Sequence, residues 1–556
     1  MSRRAADLLV EVLRARGVRY VFGLPGTTEA ALLDALREAA EVRYVLTLQE
    51  GVAVAMAHGY ALATGHPAVA NLHTTVGTLA GLSLLYDAWR DRVPVVVLAT
   101  HKHSRILGRG GFTTLPDTTA LARPLVKWAH QTLTADQVAE DAERAFQQAA
   151  APPPGPAYLL VPEDLLASLA PGPPPVPSPV PLPARPHRDA VVAARTRLLA
   201  ADRPVLLAGS TLARPDAVDA LADLVRRLTL PMLWEPWRAL TAVPYPADDP
   251  YFVGTYDAGH PAVQQADLVL ALGASLFVEF APPRAPEVPP HADLIHVHAE
   301  AGELGRLYRP ALAVRADPAL FVRDLLEDPL VAVPHGGDHR ATQRAAWIAR
   351  LRRLRDEQRA ARLRTEWHGT PLSAHRVGAE MARVLPGDAV IVEEAVRSSP
   401  AFLDGFPLRP GQLFRTAGGA LGWGVPAALG VQLARPHHAV VAVVGDGSLH
   451  FTPQALWTGA RERLPVVVVV LNNRKYLAVE AGVQRLRGAG ETPAGTPGFD
   501  LSGVDHGTVA RGYGALAAAV EHADQLGDVL AEALARARAE ARPCVVDVPV
   551  RDEPGA

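Results

Sequence analysis

Two short polar stretches in the last third of the chain combine residues that could hold a cation against an anionic ligand: Gly445-Asp446-Gly447-Ser448 and Asn472-Asn473. Asp446 offers a carboxylate and Asn473 an amide oxygen, hard donors of the kind Mg²⁺ selects. Gly447 has no side chain to keep a phosphate away from the backbone. Ser448 and the helix start beside it offer hydroxyl and N–H groups to an anion. Asp-Gly and Asn-Asn are also ordinary turn pairs. Here, however, each follows an apolar, β-branched run, residues 439–444 and 466–471, of the kind that forms a buried parallel strand. Between the two, residues 452–463 read as a helix capped by Thr452. A strand–loop–helix–strand unit puts these oxygens at the carboxyl ends of its strands, the edge where open α/β sheets bind ligands. The chemistry it predicts is a magnesium ion bridging protein oxygens to a diphosphate.

The elements around this unit read as three successive α/β units. Residues 1–180 alternate a helix over 5–16, ended by Gly17, with strands over 20–23, 43–48, 68–72, 92–100 and 157–161. Such alternation predicts a parallel, doubly wound sheet. Three polar residues fall at its strand ends: Thr27, Glu50 and His73, the last opening a turn over 73–77. Residues 171–186 are dominated by proline and read as an extended spacer. The middle unit, 187–340, has strands over 204–208, 230–234, 268–272 and 294–298. Its first strand is followed by Gly209-Ser210-Thr211-Leu212-Ala213 rather than GxGxxG, which argues against a dinucleotide site. An arginine-rich helix over 340–367 leads into the third unit, where a strand over 389–392 precedes a turn over 393–399.

GDG followed by NN, with Asp446 and Asn473 27 positions apart, resembles the signature of the thiamine diphosphate (ThDP) enzymes. "GLPGTTEAALLDAL", "LQEGVAVAMAHGYALATG", "NLHTTVGTLAGL" and "ARPLVKW" are similar in order and spacing to the benzoylformate decarboxylase branch, and the resemblance covers nearly the whole chain. It implies an α/β fold of three doubly wound parallel-sheet domains: 1–180 for the aminopyrimidine, 187–340 without FAD, and 341–556 for the diphosphate and Mg²⁺. The metal ligands it implies are Asp446, Asn473 and the Lys475 carbonyl. Glu50 would hydrogen-bond N1′ of the aminopyrimidine, and His73 would handle protons around the substrate. Thr27 stands where the branch has a serine that touches the substrate carboxylate. Gly419 would hold the aminopyrimidine amine through its carbonyl, and Leu421 would wedge the two cofactor rings into a V. Arg397, Gly447 and Ser448 would meet the diphosphate. Tyr476 would open a lid helix, with Leu477, Ala478 and Val479 facing an apolar acyl group and Phe112 lining the same pocket. Phe280 replaces the branch's second catalytic histidine, and His260, His291, His296 and His298 are out of register with it. A phenylalanine cannot transfer a proton, which leaves room for carboligation instead of simple aldehyde release.

The function implied is ThDP- and Mg²⁺-dependent decarboxylation of a 2-oxo acid, releasing an aldehyde or joining the acyl unit to an acceptor carbonyl compound. The alternatives are an acyl transferase of the acetolactate synthase type and a non-catalytic paralogue. Retention of Glu50, Asp446 and Asn473 argues against the last. In the family the Glu50 and Asp446 positions of one site come from different subunits, so a homodimer is the minimum unit and a homotetramer is expected.

Bulk properties agree. The 556 residues hold 49% apolar side chains, 55 Lys plus Arg and 58 Asp plus Glu, a net charge of -3 that gives no basis for a nucleic-acid partner. Cys544, the one cysteine, sits in a terminal apolar strand, so no disulfide framework exists. No apolar stretch reaches the about 18 residues of a membrane span, and Met1-Ser2-Arg3-Arg4 runs straight into a helical pattern, so the expected compartment is the cytoplasm.

Overall fold

The computed structural model describes residues 3–173, 176–276, 286–332, 338–488, 492–493 and 495–553. Among them are three six-stranded sheets. The first contains β1 (Tyr20–Leu24), β2 (Arg43–Leu46), β3 (Ala68–His73), β4 (Val95–His101), β5 (Trp128–Gln131) and β6 (Ala157–Pro162). The second contains β7 (Pro204–Ala208), β8 (Met232–Trp234), β9 (Phe252–Thr255), β10 (Leu268–Leu272), β11 (Asp293–His298) and β12 (Leu312–Arg315). The third contains β13 (Val390–Glu394), β14 (Leu413–Arg415), β15 (Val440–Gly445), β16 (Val467–Asn472), β17 (Leu516–Ala519) and β18 (Cys544–Pro549). Every pairing within these sheets is parallel. The central strands are the Val-, Leu- and Ala-rich runs: β4 and β16 are buried along their whole length, as strands covered on both faces must be.

The first and third sheets share one strand order, 2-1-3-4-6-5 and 14-13-15-16-18-17, whereas the middle sheet runs 9-8-7-10-11-12. In each, the chain winds one way from the first strand and the other way from its neighbour. That reversal leaves a crevice between β1 and β3, between β7 and β10, and between β13 and β15, where open sheets take ligands. The sheet-end motifs read from sequence fall into the first and third crevices.

The first and third sheets are tied together through the helix Glu50–Thr64, which lies against the helix Gly424–Ala434. A Cβ on Gly59 would lie 2.2 Å from the Ala427 carbonyl oxygen, and one on Gly430 would lie 2.1 Å from that of Met56. Only glycines permit so close a crossing. Residues 51–59 of the first helix are all buried, which explains why it shows no polar face. The 28-residue helix His339–Glu366 follows the middle sheet. Its buried Arg344 donates to the carbonyls of Leu228 (2.7 Å) and Ala201 (2.6 Å).

Local expectations needed correction in three places. The helix expected over 452–463 is shorter, Ala455–Arg461, and a separate short helix, Asp446–Leu449, precedes it. Thr452 caps neither; its hydroxyl donates to the Gly422 carbonyl at 2.6 Å and so anchors a different loop. Residues 73–77 are not a turn, because a helix starts at Thr74. Among the described residues no helix is long and apolar enough to cross a membrane.

Candidate active site

The third crevice is built first by backbone strain. Val396 follows β13 with φ +48°, and Arg474 follows β16 with φ +62°. In the first crevice Thr74, immediately after His73, has φ +56°. Left-handed conformations are costly for β-branched side chains and recur where function requires a sharp redirection of the chain.

Asp446 is the first residue of its short helix and is almost completely buried. Its Oδ1 accepts the Gly447 N–H at 2.8 Å, and its Oδ2 has no hydrogen-bond partner. Burial raises the carboxyl above the usual aspartate range, although the amides of Gly447, Arg474 and Lys475 pull it down. The turn at Arg474 brings the Lys475 N–H to 3.3 Å from Asn473 Oδ1. Among the described residues no group of three or more His, Cys, Asp or Glu could hold a metal. A cation here would therefore need oxygens from its ligand as well. One carboxylate, one amide, one carbonyl and a diphosphate make such a set for Mg²⁺, so the residues present fit a magnesium diphosphate. Gly447 has an additional, packing role: a Cβ there would lie 2.2 Å from the Tyr476 ring. The Ser448 hydroxyl is turned to the Glu394 carbonyl at 3.4 Å. Lys475 Nζ pairs with Glu480 and Asp552, each at 3.0 Å. Arg397 lies near the arginines at 238 and 485, and its pKa is lowered by burial and by those two charges. A concentration of positive charge at this crevice favours an anionic ligand.

The loop carrying Gly419 and Leu421 is held by carboxylates. Asp91 Oδ1 accepts the Ala417 N–H (2.9 Å) and Asp87 Oδ1 that of Ala420 (3.1 Å), both reaching across from the helix Thr74–Arg90 and its end. Glu394 accepts the N–H groups of Gly422 (2.7 Å) and Gly424 (2.6 Å). Gly419 has φ +84° and is exposed; Leu421 is half-buried. Burial pushes Glu394 up to about 7 and Asp87 up to about 9, the latter helped by the charge of Asp91.

The Asp87 shift has a measurable consequence. Its folded pKa lies above the unfolded one, so the native chain keeps a proton that the unfolded chain releases above about pH 4. Stability should therefore fall as pH rises through the neutral range towards about 9. Asp87→Asn retains the acceptor for Ala420 and abolishes the titration. Thermal unfolding should show a flatter loss of stability with pH in the variant than in the parent. An unchanged slope would count against a protonated Asp87.

In the first crevice, Glu50 is the first residue of its helix, behind Gln49, whose side chain caps the Val52 N–H at 3.0 Å. Its carboxylate lies in the space left by Gly77, where a Cβ would be 3.0 Å from Oε1. It is half-exposed, and among the described residues no hydrogen bond or ion pair engages it. His73 is tied at Nδ1 to Glu29 Oε2 (2.9 Å), leaving Nε2 for a ligand. Glu29 is fully buried and also accepts from the Gly26 N–H (2.8 Å) and the Thr28 and Thr100 hydroxyls. Thr28, not Thr27, is the threonine in contact with His73, at 3.0 Å. Thr27 is exposed and accepts from Lys102 Nζ at 3.2 Å.

Sequence reasoning did not single out Glu29, Asp87, Asp91, Thr28 or Lys102. Of the expected pocket residues, Phe112 is 82% exposed. On the helix Leu477–Leu486, Leu477 is half-buried while Ala478 and Val479 are exposed. Phe280 lies outside the described residues. His296 and His298 are buried within the middle sheet and His260 caps a short helix at Ala262; burial lowers the pKa of all three. In the middle crevice, buried Glu235 accepts from the Ser210 N–H (2.6 Å), the Ser210 hydroxyl (2.5 Å) and the Ser275 N–H (3.4 Å).

Three doubly wound domains with polar crevices at the ends of the first and third sheets define a cofactor-binding α/β architecture of one kind. Models of the thiamine pyrophosphate enzymes match the chain over 3–121 (N-terminal TPP binding domain), 191–325 (central domain) and 405–548 (C-terminal TPP binding domain). A benzoylformate decarboxylase of Pseudomonas aeruginosa is 32% identical over 97% of this chain and 98% of its own. The acetolactate synthase isozyme 3 large subunit of Escherichia coli is 27% identical over 98% and 94%. The structure of the thiamine diphosphate-dependent 4-hydroxybenzoylformate decarboxylase of Rhodococcus jostii superposes with a TM-score of 0.84 at 29% identity, covering 99% of this chain and 100% of that one. The chain belongs to the thiamine pyrophosphate enzymes, in the branch that holds the benzoylformate decarboxylases and acetolactate synthases.

Proposed function

We propose that this protein decarboxylates a 2-oxo acid with ThDP and Mg²⁺, then releases an aldehyde or joins the acyl unit to an acceptor carbonyl compound. The observation that carries this reading is the buried, unpartnered Asp446 Oδ2 beside Asn473 and Lys475. Asp446, Asn473 and the Lys475 carbonyl would hold Mg²⁺, Arg397 would add charge for the diphosphate, and Gly419 and Leu421 would seat the aminopyrimidine. Bound ThDP would supply a nucleophilic carbon for the ketone and an electron sink for loss of CO₂. Glu50 would hold a proton at N1′, and His73, oriented by Glu29, would present Nε2 to the substrate.

A complete site needs two chains. Glu50 lies beside Gly77, whereas the loop of Gly419 lies beside Asp87. Ten helical residues separate these points, about 15 Å, so one chain's Glu50 and Gly419 cannot grip the same six-membered ring. Leu48, Val76, Leu79, Tyr86 and Trp89 form an exposed apolar surface around Glu50 and along the adjoining helix. A surface of that kind favours burial against another copy. We therefore place the active site across a homodimer, with a homotetramer as the expected assembly. Glu235 consumes the donors that a nucleotide phosphate would need in the middle crevice, which supports a middle domain without FAD.

The test is a panel of benzoylformate, pyruvate and longer aliphatic 2-oxo acids with ThDP and Mg²⁺, with and without benzaldehyde or acetaldehyde as acceptor. Mass spectrometry should detect CO₂ release together with an aldehyde or a hydroxyketone. Absence of 2-oxo acid consumption across the panel by cofactor-loaded protein would reject the proposal, and acetolactate as the dominant product from pyruvate would replace it with the transferase reading.

A further inference from the structure

Three of the 55 basic residues are lysines: Lys102, Lys127 and Lys475. Lys475 is paired with two carboxylates, and Lys127 Nζ donates to the Ala151 carbonyl. Lys102 has no carboxylate partner among the described residues; its recorded side-chain bond is to the Thr27 hydroxyl. It stands just past β4, while Thr27 stands just past β1, and β3 lies between these strands in the sheet. The 3.2 Å contact from Lys102 Nζ to Thr27 Oγ1 therefore spans the end of β3, where His73 sits.

The root of this lysine is fixed. Its backbone N–H donates to His101 Nδ1 at 2.8 Å, and His101 Nε2 meets the Thr118 hydroxyl at 3.0 Å. Thr118 in turn contacts the Thr75 hydroxyl at 2.8 Å. His101 is buried and its pKa is lowered to about 4 by burial and by the Lys102 charge, so it stays a neutral acceptor. Beneath, the Glu29 carboxylate is already engaged by His73, Thr28, Thr100 and the Gly26 amide. The crevice is layered: a satisfied carboxylate below, the imidazole above it, and an unneutralised ammonium with a hydroxyl at the mouth.

We infer that Lys102 is a specificity-determining residue that, together with Thr27, holds the carboxylate of the incoming 2-oxo acid. This rests on the proposed function and goes beyond it by naming the group that selects an anionic donor. An ammonium that binds the reactant carboxylate stabilises charge that leaves with CO₂, so it strengthens the ground state more than the transition state. Lys102 should lower KM without raising kcat.

Steady-state kinetics of Lys102→Met and Lys102→Arg with benzoylformate and pyruvate test this, with self-condensation of benzaldehyde as a neutral-donor arm. A charge-assisted hydrogen bond of ordinary strength predicts a KM increase of about 10- to 100-fold for Lys102→Met. Its kcat should be unchanged or higher, the arginine variant should recover part of the loss, and benzaldehyde condensation should be unaffected. ThDP uptake and thermal unfolding should match the parent. A KM within about twofold of the parent, or an equal loss in the benzaldehyde arm, would overturn the assignment. If the parent consumes none of the three donors, the functional reading itself falls; a working parent with an indistinguishable variant condemns the role of Lys102 alone.

Discussion

Glu50→Gln is expected to keep the fold and ThDP uptake while lowering kcat by about 10³- to 10⁴-fold, the upper end of what a positioned acid–base group contributes. Little in the structure depends on the charge of Glu50. Glu50 is half-exposed, its helix is capped by Gln49, and its carboxylate fills a space that glutamine can fill equally well. The amide, however, cannot take up and return a proton at N1′. Because that exchange belongs to turnover rather than to binding, kcat should fall and the ThDP dissociation constant should stay within a few-fold. Fluorescence titration with ThDP, thermal unfolding and single-turnover kinetics separate the two effects. Retention of most activity would remove Glu50 from the mechanism, and loss of ThDP binding alone would make it a binding residue.

The elements legible in the sequence are those whose burial is written into consecutive residues. β15 and β16 are uninterrupted apolar runs, and the turns after them could be placed to within a residue. The strands missed, β5, β9, β12, β14 and β17, are all sheet edges of three or four residues. An edge strand is covered less and needs no long apolar run, so its signal merges with that of loops. The candidate site divides in the same way. Asp446, Asn473, Glu50 and His73 stand at the ends of legible strands. Glu29 reads as an ordinary acid in the first turn of a helix, and its role appears only when Thr100 and His73 arrive from two other strands. Asp87 and Asp91 read as solvent-facing helix residues until the loop of Ala417 and Ala420, more than 300 positions away, closes over them. Thr27 and Thr28 are adjacent hydroxyls; only the backbone path decides that one meets His73 and the other Lys102.

Asp446→Ala is expected to abolish Mg²⁺-dependent ThDP binding and with it all 2-oxo acid turnover. Oδ1 already serves the Gly447 amide, while Oδ2 is buried without a partner. A cation would supply that partner and relieve the desolvation that raises the Asp446 carboxyl. Alanine removes the one carboxylate in the cation's coordination set, leaving an amide and a carbonyl too weak to hold Mg²⁺ against water. The apo fold should survive, since alanine also removes a buried charge. The two disabled variants can then be combined. If Glu50 of one chain and Asp446 of its partner build each site, a mixed dimer of Glu50→Gln and Asp446→Ala carries one site with both defects and one with neither. Co-expression in equal amounts gives mixed dimers half the time, so activity should return to about a quarter of the parent value. If both groups acted within one chain, each site would carry one defect and the mixture would stay as inactive as its components. Isothermal titration with ThDP and Mg²⁺ checks the first expectation, and the activity of the unseparated co-expressed mixture checks the second.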